Sequence, residues 1–170
     1  VDFFQVEANS SCTERSSPVS SSLIRQALRN GCIEDVNLWL GRPFRLAGRV
    51  VRGDRRGHRL GFPTANLAVW DEQALPGFGV YAGRVWIDAA CYPAAVNIGV
   101  RPTVTDGQEM TLEAHLLDYQ GDLYGRTVEL DFLARIRPES RFESPELLIA
   151  QLAQDVAETR RLVGDQCGNA

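Results

Sequence analysis

From Phe44 onward the chain alternates apolar and polar residues in short runs, and this period of two is the pattern of strands. Candidate strands span 46–52, 64–69, 80–87, 92–98, 111–117 and 127–136. Turn signals separate most of them, at Pro76-Gly77, Asp106-Gly107 and Tyr124-Gly125. Short strands without intervening helices predict a mainly β fold, a six-stranded closed antiparallel barrel of Greek-key type. A C-terminal α-helix follows. Ser144 can cap it, Pro145 suits its first position, and Glu146 favours its positive end. Leu148, Leu152, Val156 and Val163 recur near helical spacing and are expected to face the barrel.

The residues before Phe44 read differently. Val1 to Val6 has the character of a strand, and Ser10 to Ser22 is rich in serine. Ser20, Ser21 and Ser22 precede a helical run that Asn30-Gly31 stops as a C-cap does. A second short helix carries Ile33, Val36, Leu38, Trp39 and Leu40 and ends at Gly41-Arg42-Pro43. The spacing divides the chain into 1–42, a barrel domain over 43–164, and a polar tail over 165–170.

No apolar run approaches membrane-spanning length. The start, Val1-Asp2-Phe3-Phe4, lacks the basic stretch of a secretory signal. It also lacks an initiator methionine, which points to a fragment of a longer chain. A net charge of −4 argues against a nucleic-acid partner. All 18 basic residues are arginine, so a phosphate-loop lysine and a Schiff-base lysine are both impossible. Cys12, Cys32, Cys91 and Cys167 are scattered and read as isolated thiols in a reducing, cytoplasmic setting. With only His58 and His115, a histidine-based metal site is not expected.

Chemistry concentrates in Gly53-Asp54-Arg55-Arg56-Gly57-His58-Arg59-Leu60-Gly61-Phe62-Pro63-Thr64-Ala65-Asn66. Gly53, Gly57 and Gly61 let the backbone turn and approach a ligand closely, and their amides can form a nest for phosphate. Thr64 and Asn66 carry oxygens suited to a hard cation such as Mg²⁺. Both residues equally suit a capped turn at a strand start. A phosphate cradle beside metal-binding oxygens points to phosphoryl transfer.

This stretch resembles the glycine-rich and Pro-Thr-Ala-Asn signature of the riboflavin kinase family. More closely, it resembles the kinase module of the two-domain bacterial riboflavin kinase/FMN adenylyltransferases (FAD synthetases). The likeness continues in order through Gly79-Val80-Tyr81-Ala82, Asn97-Ile98-Gly99-Val100-Arg101-Pro102-Thr103 and Glu113-Ala114-His115-Leu116-Leu117-Asp118. It ends with Asp122-Leu123-Tyr124-Gly125, Arg137-Pro138-Glu139-Ser140-Arg141-Phe142 and Gln151-Leu152-Ala153-Gln154-Asp155. The family's fold is a barrel, which agrees with the strand pattern. Val19-Ser20-Ser21-Ser22-Leu23-Ile24-Arg25 resembles the nucleotide-contacting motif at the end of the adenylyltransferase domain, with Ser22 where threonine is usual. The resemblance makes residues 1–42 a remnant of that domain, partly disordered for want of what it packs against. Read by themselves, its serines are helix caps.

The resemblance implies ATP and riboflavin as substrates, FMN and ADP as products, and Mg²⁺ as the metal held by Thr64 and Asn66. It matches Glu113 to the catalytic base that accepts the proton of the riboflavin 5′-hydroxyl. On a strand, Glu113 and His115 share one face while Leu112, Ala114 and Leu116 share the other. His115 either orients Glu113 or is a satisfied strand histidine. His58, Arg59 and Arg101 can supply positive charge to phosphate, and Asn97 and Pro102-Thr103 shape the pocket wall. Arg137, Arg141 and Phe142 fall in a loop that the resemblance places near the flavin, although Arg137 and Arg141 alone read as a surface run with charge pairing. Tyr81 joins Trp70, Phe78 and Phe142 as rings able to sandwich an isoalloxazine, each of them equally suited to a core.

The expected activity is therefore riboflavin kinase. FMN adenylylation and its domain belong to the full-length protein, and neither nucleic acid nor membrane is a partner. The alternatives are a non-catalytic flavin- or nucleotide-binding barrel and, less consistent with the acidic balance, a barrel for single-stranded nucleic acid.

Overall fold

A computed structural model describes residues 19–53, 57, 60–70, 72–102, 108–164 and 167. Six strands follow the alternation closely: β1 (Phe44–Val51), β2 (Ala65–Ala68), β3 (Gly79–Ile87), β4 (Ala90–Pro102), β5 (Gln108–Leu116) and β6 (Thr127–Arg137). They close into a barrel in the order β1-β2-β5-β4-β3-β6, every pairing antiparallel. Closure removes free sheet edges. Leu46, Val85, Val96, Ile98, Leu112, Leu130 and Phe132 fill the interior. Burying each such side chain contributes about 1.5–3 kcal/mol.

Two helices precede the barrel, α1 (Ser21–Asn30) and α2 (Ile33–Leu40). The Ser20 hydroxyl accepts from the Leu23 N–H at 3.3 Å, and Gly31 caps the other end of α1 at φ 76°. Their apolar faces do not lack a partner. Ala27, Leu28, Ile33 and Val36 are buried in the same core as the barrel residues. Asn37 fixes the docking, since its Nδ2 donates to the Phe132 carbonyl at 2.9 Å while its Oδ1 accepts from the Phe44 N–H at 2.7 Å. The expectation of partial disorder is corrected for this helix pair. The serine-rich stretch before Val19 lies outside the described residues.

The last helix, α3 (Pro145–Val163), starts as expected, with the Ser144 hydroxyl accepting from the Leu147 N–H. Val163 is buried, and Leu148, Leu152 and Val156 face the barrel across a cavity, as expected; Asp155 and Thr159 are buried on the same side. The buried Asp155 has a reason to be there: Arg137, at the end of β6, grips it with two hydrogen bonds of 2.9 and 2.8 Å.

A second buried carboxylate stitches strands together. Asp131 on β6 stands in register with Arg45 on β1 and Arg84 on β3, and it accepts from both and from the Trp86 indole. Burial alone pushes the Asp131 carboxyl up, but these donors outweigh it and leave it below the usual carboxylate range.

The cysteines require a correction. Cys32, Cys91 and Cys167 are disulfide-bonded. Cys91, on β4, joins Cys167 beyond α3, at a sequence separation of 76. A pairing that distant leaves no local spacing to read. Cys12 lies outside the described residues.

Candidate active site

The strand register assembles a polar row on the outside of the barrel. Asn66 on β2 stands opposite Glu113 on β5, and Glu113 stands opposite Asn97 on β4. Residues directly opposite in antiparallel strands project to one face. Leu112, Ala114 and Leu116 are buried while Glu113 and His115 are half-buried, so the alternation anticipated along β5 is present. Thr64 precedes β2, and its hydroxyl donates to Glu113 Oε2 at 3.1 Å.

His115 holds the approach to Thr64. Its Nδ1 lies 2.7 Å from the Pro63 carbonyl, and its ring meets Phe62 edge-on at 5.6 Å. A carbonyl only accepts, so Nδ1 carries the hydrogen. His115 thus ties the Pro63 backbone to β5 and sets where Thr64 meets Glu113. The glycines fit the same loop tightly. A Cβ on Gly57 would come within 2.3 Å of the Phe62 carbonyl, and one on Gly53 within 2.3 Å of the Asn66 side chain. The Gly57 carbonyl accepts from the N–H groups of Leu60 and Phe62. Gly61 has φ 86°. His58, Arg59 and Thr103, and the side chains of Arg101 and Pro102, lie outside the described residues.

Two cavities meet at this point. One, of about 400 Å³, lies between the barrel and α3, lined by Phe62, Glu113, His115, Arg137, Phe142 and Leu152 among others. The other, of about 560 Å³, lies beneath the β5–β6 loop, lined by Val50, Pro63, Tyr119, Leu123 and Tyr124 among others. Thr64 is the one described residue that lines both. The loop over the second cavity is shaped by Asp118 at φ 60°, which pairs through both oxygens with Arg160, and by the Gly125 N–H donating to the Val50 carbonyl.

The remaining candidates separate. Arg137 and Phe142 line the cavity with Glu113, the guanidinium 5.6 Å from the ring, and the Arg137 charge is already matched by Asp155. Arg141 is exposed and lines neither cavity. Tyr81 is corrected to a core residue: it is 0% exposed, packs edge-on against Phe132 and donates to the Gly77 carbonyl at 2.6 Å. Burial pushes its hydroxyl up to about 12. Tyr81 lines neither cavity. Trp70 and Phe78 are exposed and border neither cavity. Sequence reasoning assigned no role to residues 119–124, which line the second cavity, or to Asp155. The Asp122-Leu123-Tyr124-Gly125 block was visible, but turn residues carry no mark of what they cover.

Among the described residues no His, Cys, Asp and Glu cluster of three or more could hold a metal. The oxygens available are of another kind, the Thr64 hydroxyl and the Asn66 carboxamide beside Glu113, a neutral oxygen set that suits a hard cation already carrying phosphate. No helix among the described residues is long and apolar enough to cross a membrane.

Residues 40–163 match the sequence model of the flavokinase family, riboflavin kinase. A bifunctional riboflavin kinase/FMN adenylyltransferase from Pseudomonas fluorescens is 42% identical over 159 residues, covering 94% of this chain and 51% of that protein. The crystal structure of a riboflavin kinase from Trypanosoma brucei superposes with a TM-score of 0.53 at 30% identity, over 74% of this chain and 83% of that one. A Streptococcus pneumoniae structure described as a macrolide-efflux protein superposes with a TM-score of 0.81 at 37% identity, over 88% of this chain and 49% of that one. The chain spans about half the length of the curated relatives it matches.

Proposed function

The chain belongs to the riboflavin kinase family, and from that premise we propose that it transfers the γ-phosphate of ATP to the 5′-hydroxyl of riboflavin, giving FMN and ADP. The meeting of two separate cavities at Thr64 carries this reading. Transfer between two substrates needs both held with the reacting atoms adjacent. The cavity against α3, with Phe62, Phe142 and Leu152 as apolar walls, takes the flavin ring. The cavity under the β5–β6 loop takes the nucleotide, with Tyr119 and Tyr124 beside the base.

Glu113 is the general base. Its carboxylate accepts the proton of the attacking hydroxyl, and the Thr64 hydrogen bond orients it. The glycines at 53, 57 and 61 bring backbone to the phosphates without side chains in the way. Thr64 and Asn66 are the residues that would hold Mg²⁺, which when bound offsets phosphate charge. Arg137 and Phe142 form the flavin-side wall.

In the domain reading, the kinase occupies 43–164. FMN adenylylation, the other activity in the relatives' names, belongs to the part of those proteins that this chain does not span. A cytoplasmic setting is part of the proposal, since ATP is the donor. The Cys91–Cys167 bond would be open to reduction there.

The test is conversion of riboflavin to FMN by the purified chain with ATP and Mg²⁺, resolved by chromatography. FMN should form and should vanish when Mg²⁺ is chelated. Glu113→Gln should lower kcat by about 10²- to 10⁴-fold while nucleotide binding persists. Unchanged kcat in that variant removes Glu113 as the base. Binding of both substrates without turnover favours the non-catalytic barrel instead.

A further inference from the structure

The first half of α3 walls the cavity assigned to the flavin, through Leu148, Leu152 and Val156. Its last turn reaches elsewhere. Thr159 and Val163 are buried and seat this end of the helix. The Gly164 N–H closes it on the Arg160 carbonyl, and the Cys91–Cys167 bond then ties the chain to the start of β4. Between these anchors Arg160 turns outward and grips the Asp118 carboxylate with hydrogen bonds of 2.6 and 2.8 Å. Neither Arg160 nor Asp118 lines either of the cavities that meet at Thr64.

Asp118 opens the β5–β6 loop, which covers the second cavity. Just before it, the Leu117 N–H fastens the chain to the Pro93 carbonyl at 2.8 Å. At φ 60° Asp118 occupies the left-handed region, which glycine takes without strain and a side chain does not. What aspartate brings there is a carboxylate at a fixed point. The next residue, Tyr119, lines the cavity, and its ring packs edge-on against Tyr92 at 5.0 Å. Tyr92 follows Cys91, so the disulfide, the two rings and the Asp118–Arg160 pair form one cluster behind that wall. The pair itself is open to solvent, its side chains 69% and 52% exposed, and an exposed pair adds little to stability. Its geometry is nonetheless definite, because a two-point grip fixes orientation as well as distance. The Arg160 hydrogen bonds hold the Asp118 carboxyl below the usual carboxylate range, so the pair is intact at neutral pH.

We propose that Arg160 is a positioning residue for the nucleotide: by gripping Asp118 it sets the Tyr119 ring at the angle that meets the base. α3 then serves both substrates. Its first half is a wall for one, and its last turn is a brace for the other.

This inference rests on the nucleotide reading of the cavity under the β5–β6 loop, so the measurement is ADP binding, which needs no turnover. Calorimetric titration of the full chain with ADP and Mg²⁺ should show Arg160→Ala weakened about fivefold, the scale of one aromatic contact. Melting temperature and riboflavin affinity should stay as they are, and KM for ATP should rise with kcat unchanged. Asp118→Asn keeps a residue that tolerates the same backbone and should weaken ADP to a similar extent. The two replacements change the net charge in opposite directions, so an effect of the electrostatic field alone would tighten ADP in Asp118→Asn. The double variant should be no weaker than either single one. Arg160→Lys, which keeps the charge without the two-point grip, should restore part of the affinity. In a Tyr119→Ala background, Arg160→Ala should have no further effect. Unchanged ADP affinity in Arg160→Ala overturns the proposal, as does tighter ADP in Asp118→Asn or an Arg160→Ala effect that persists without the Tyr119 ring. A parallel fall in melting temperature and in affinity for both substrates overturns it too, leaving Arg160 a structural anchor. No ADP binding by the unaltered chain removes the cavity reading and the proposal with it. The expected ADP responses without FMN formation remove the kinase reading alone.

Discussion

Asp131 shows what one buried carboxylate does when three donors surround it. It is 1% exposed, and Arg45, Arg84 and Trp86 all donate to it. Arg45 and Arg84 each also sit 5.3 Å from the Trp86 ring. Removing the charge leaves the Arg84 guanidinium without its carboxylate and Arg45 with Glu129 alone, and breaking a buried pair in this way costs about 3–5 kcal/mol. Asp131→Asn should lower chemical-denaturation stability by that amount at neutral pH. The acid response has a definite sign. In the folded chain this carboxyl titrates below its ordinary value of 3.8, so its contribution is complete above the unfolded value and is lost as pH falls through the folded one. Melting temperatures followed from pH 6 down to pH 3 should therefore fall more steeply for the unaltered chain than for Asp131→Asn. Parallel curves would mean that the carboxylate is not held as described. Glu113 makes the complementary point about legibility. Its outward face on β5 was readable from alternation, whereas its partner Thr64 was not, because the Thr64–Glu113 contact joins residues 49 apart.

Elements were readable wherever one period ran without interruption. All six strands and α3 lie close to where spacing placed them, since alternation and capping are local properties. What alternation does not encode is which strand lies beside which, and β2 passes over β3 and β4 to pair with β5. That jump creates the row Asn66, Glu113 and Asn97, so the site became visible only with the topology. The inward face of α3 was legible in its apolar spacing, but the buried Asp155 within it was not, because its charge partner Arg137 lies on a distant strand; Gln151 adds a hydrogen bond from the same helix. Asp155→Ala should leave that guanidinium unmatched, lowering stability by about 3–5 kcal/mol. If α3 forms the flavin wall, KM for riboflavin should rise several-fold while kcat changes little. Asp155→Asn should restore part of the affinity. Equal KM values across the set would reduce Asp155 to a structural anchor.

For the molecule as a whole, the Cys91–Cys167 bond encloses β4, β5, β6 and α3 in one covalent loop. Closing a loop of that size restrains the unfolded chain by about 4 kcal/mol. Cys167→Ser should lower the melting temperature of the oxidised chain, and reductant should lower it at least as far, because the bond at Cys32 opens too. A melting temperature indifferent to both would show that the bond is not formed in solution. The barrel order carries a consequence for how such a chain is made. β1 needs β6 as a neighbour, and β2 needs β5. A ribosome delivers the chain from its N-terminus at roughly 5–20 residues per second. Until Arg137 has emerged, β1 has only one of its two partners, and the surface against which Ile33 and Val36 are buried does not exist. α1 and α2 are therefore made well before the surface that seats them, and through that interval their apolar faces need shielding.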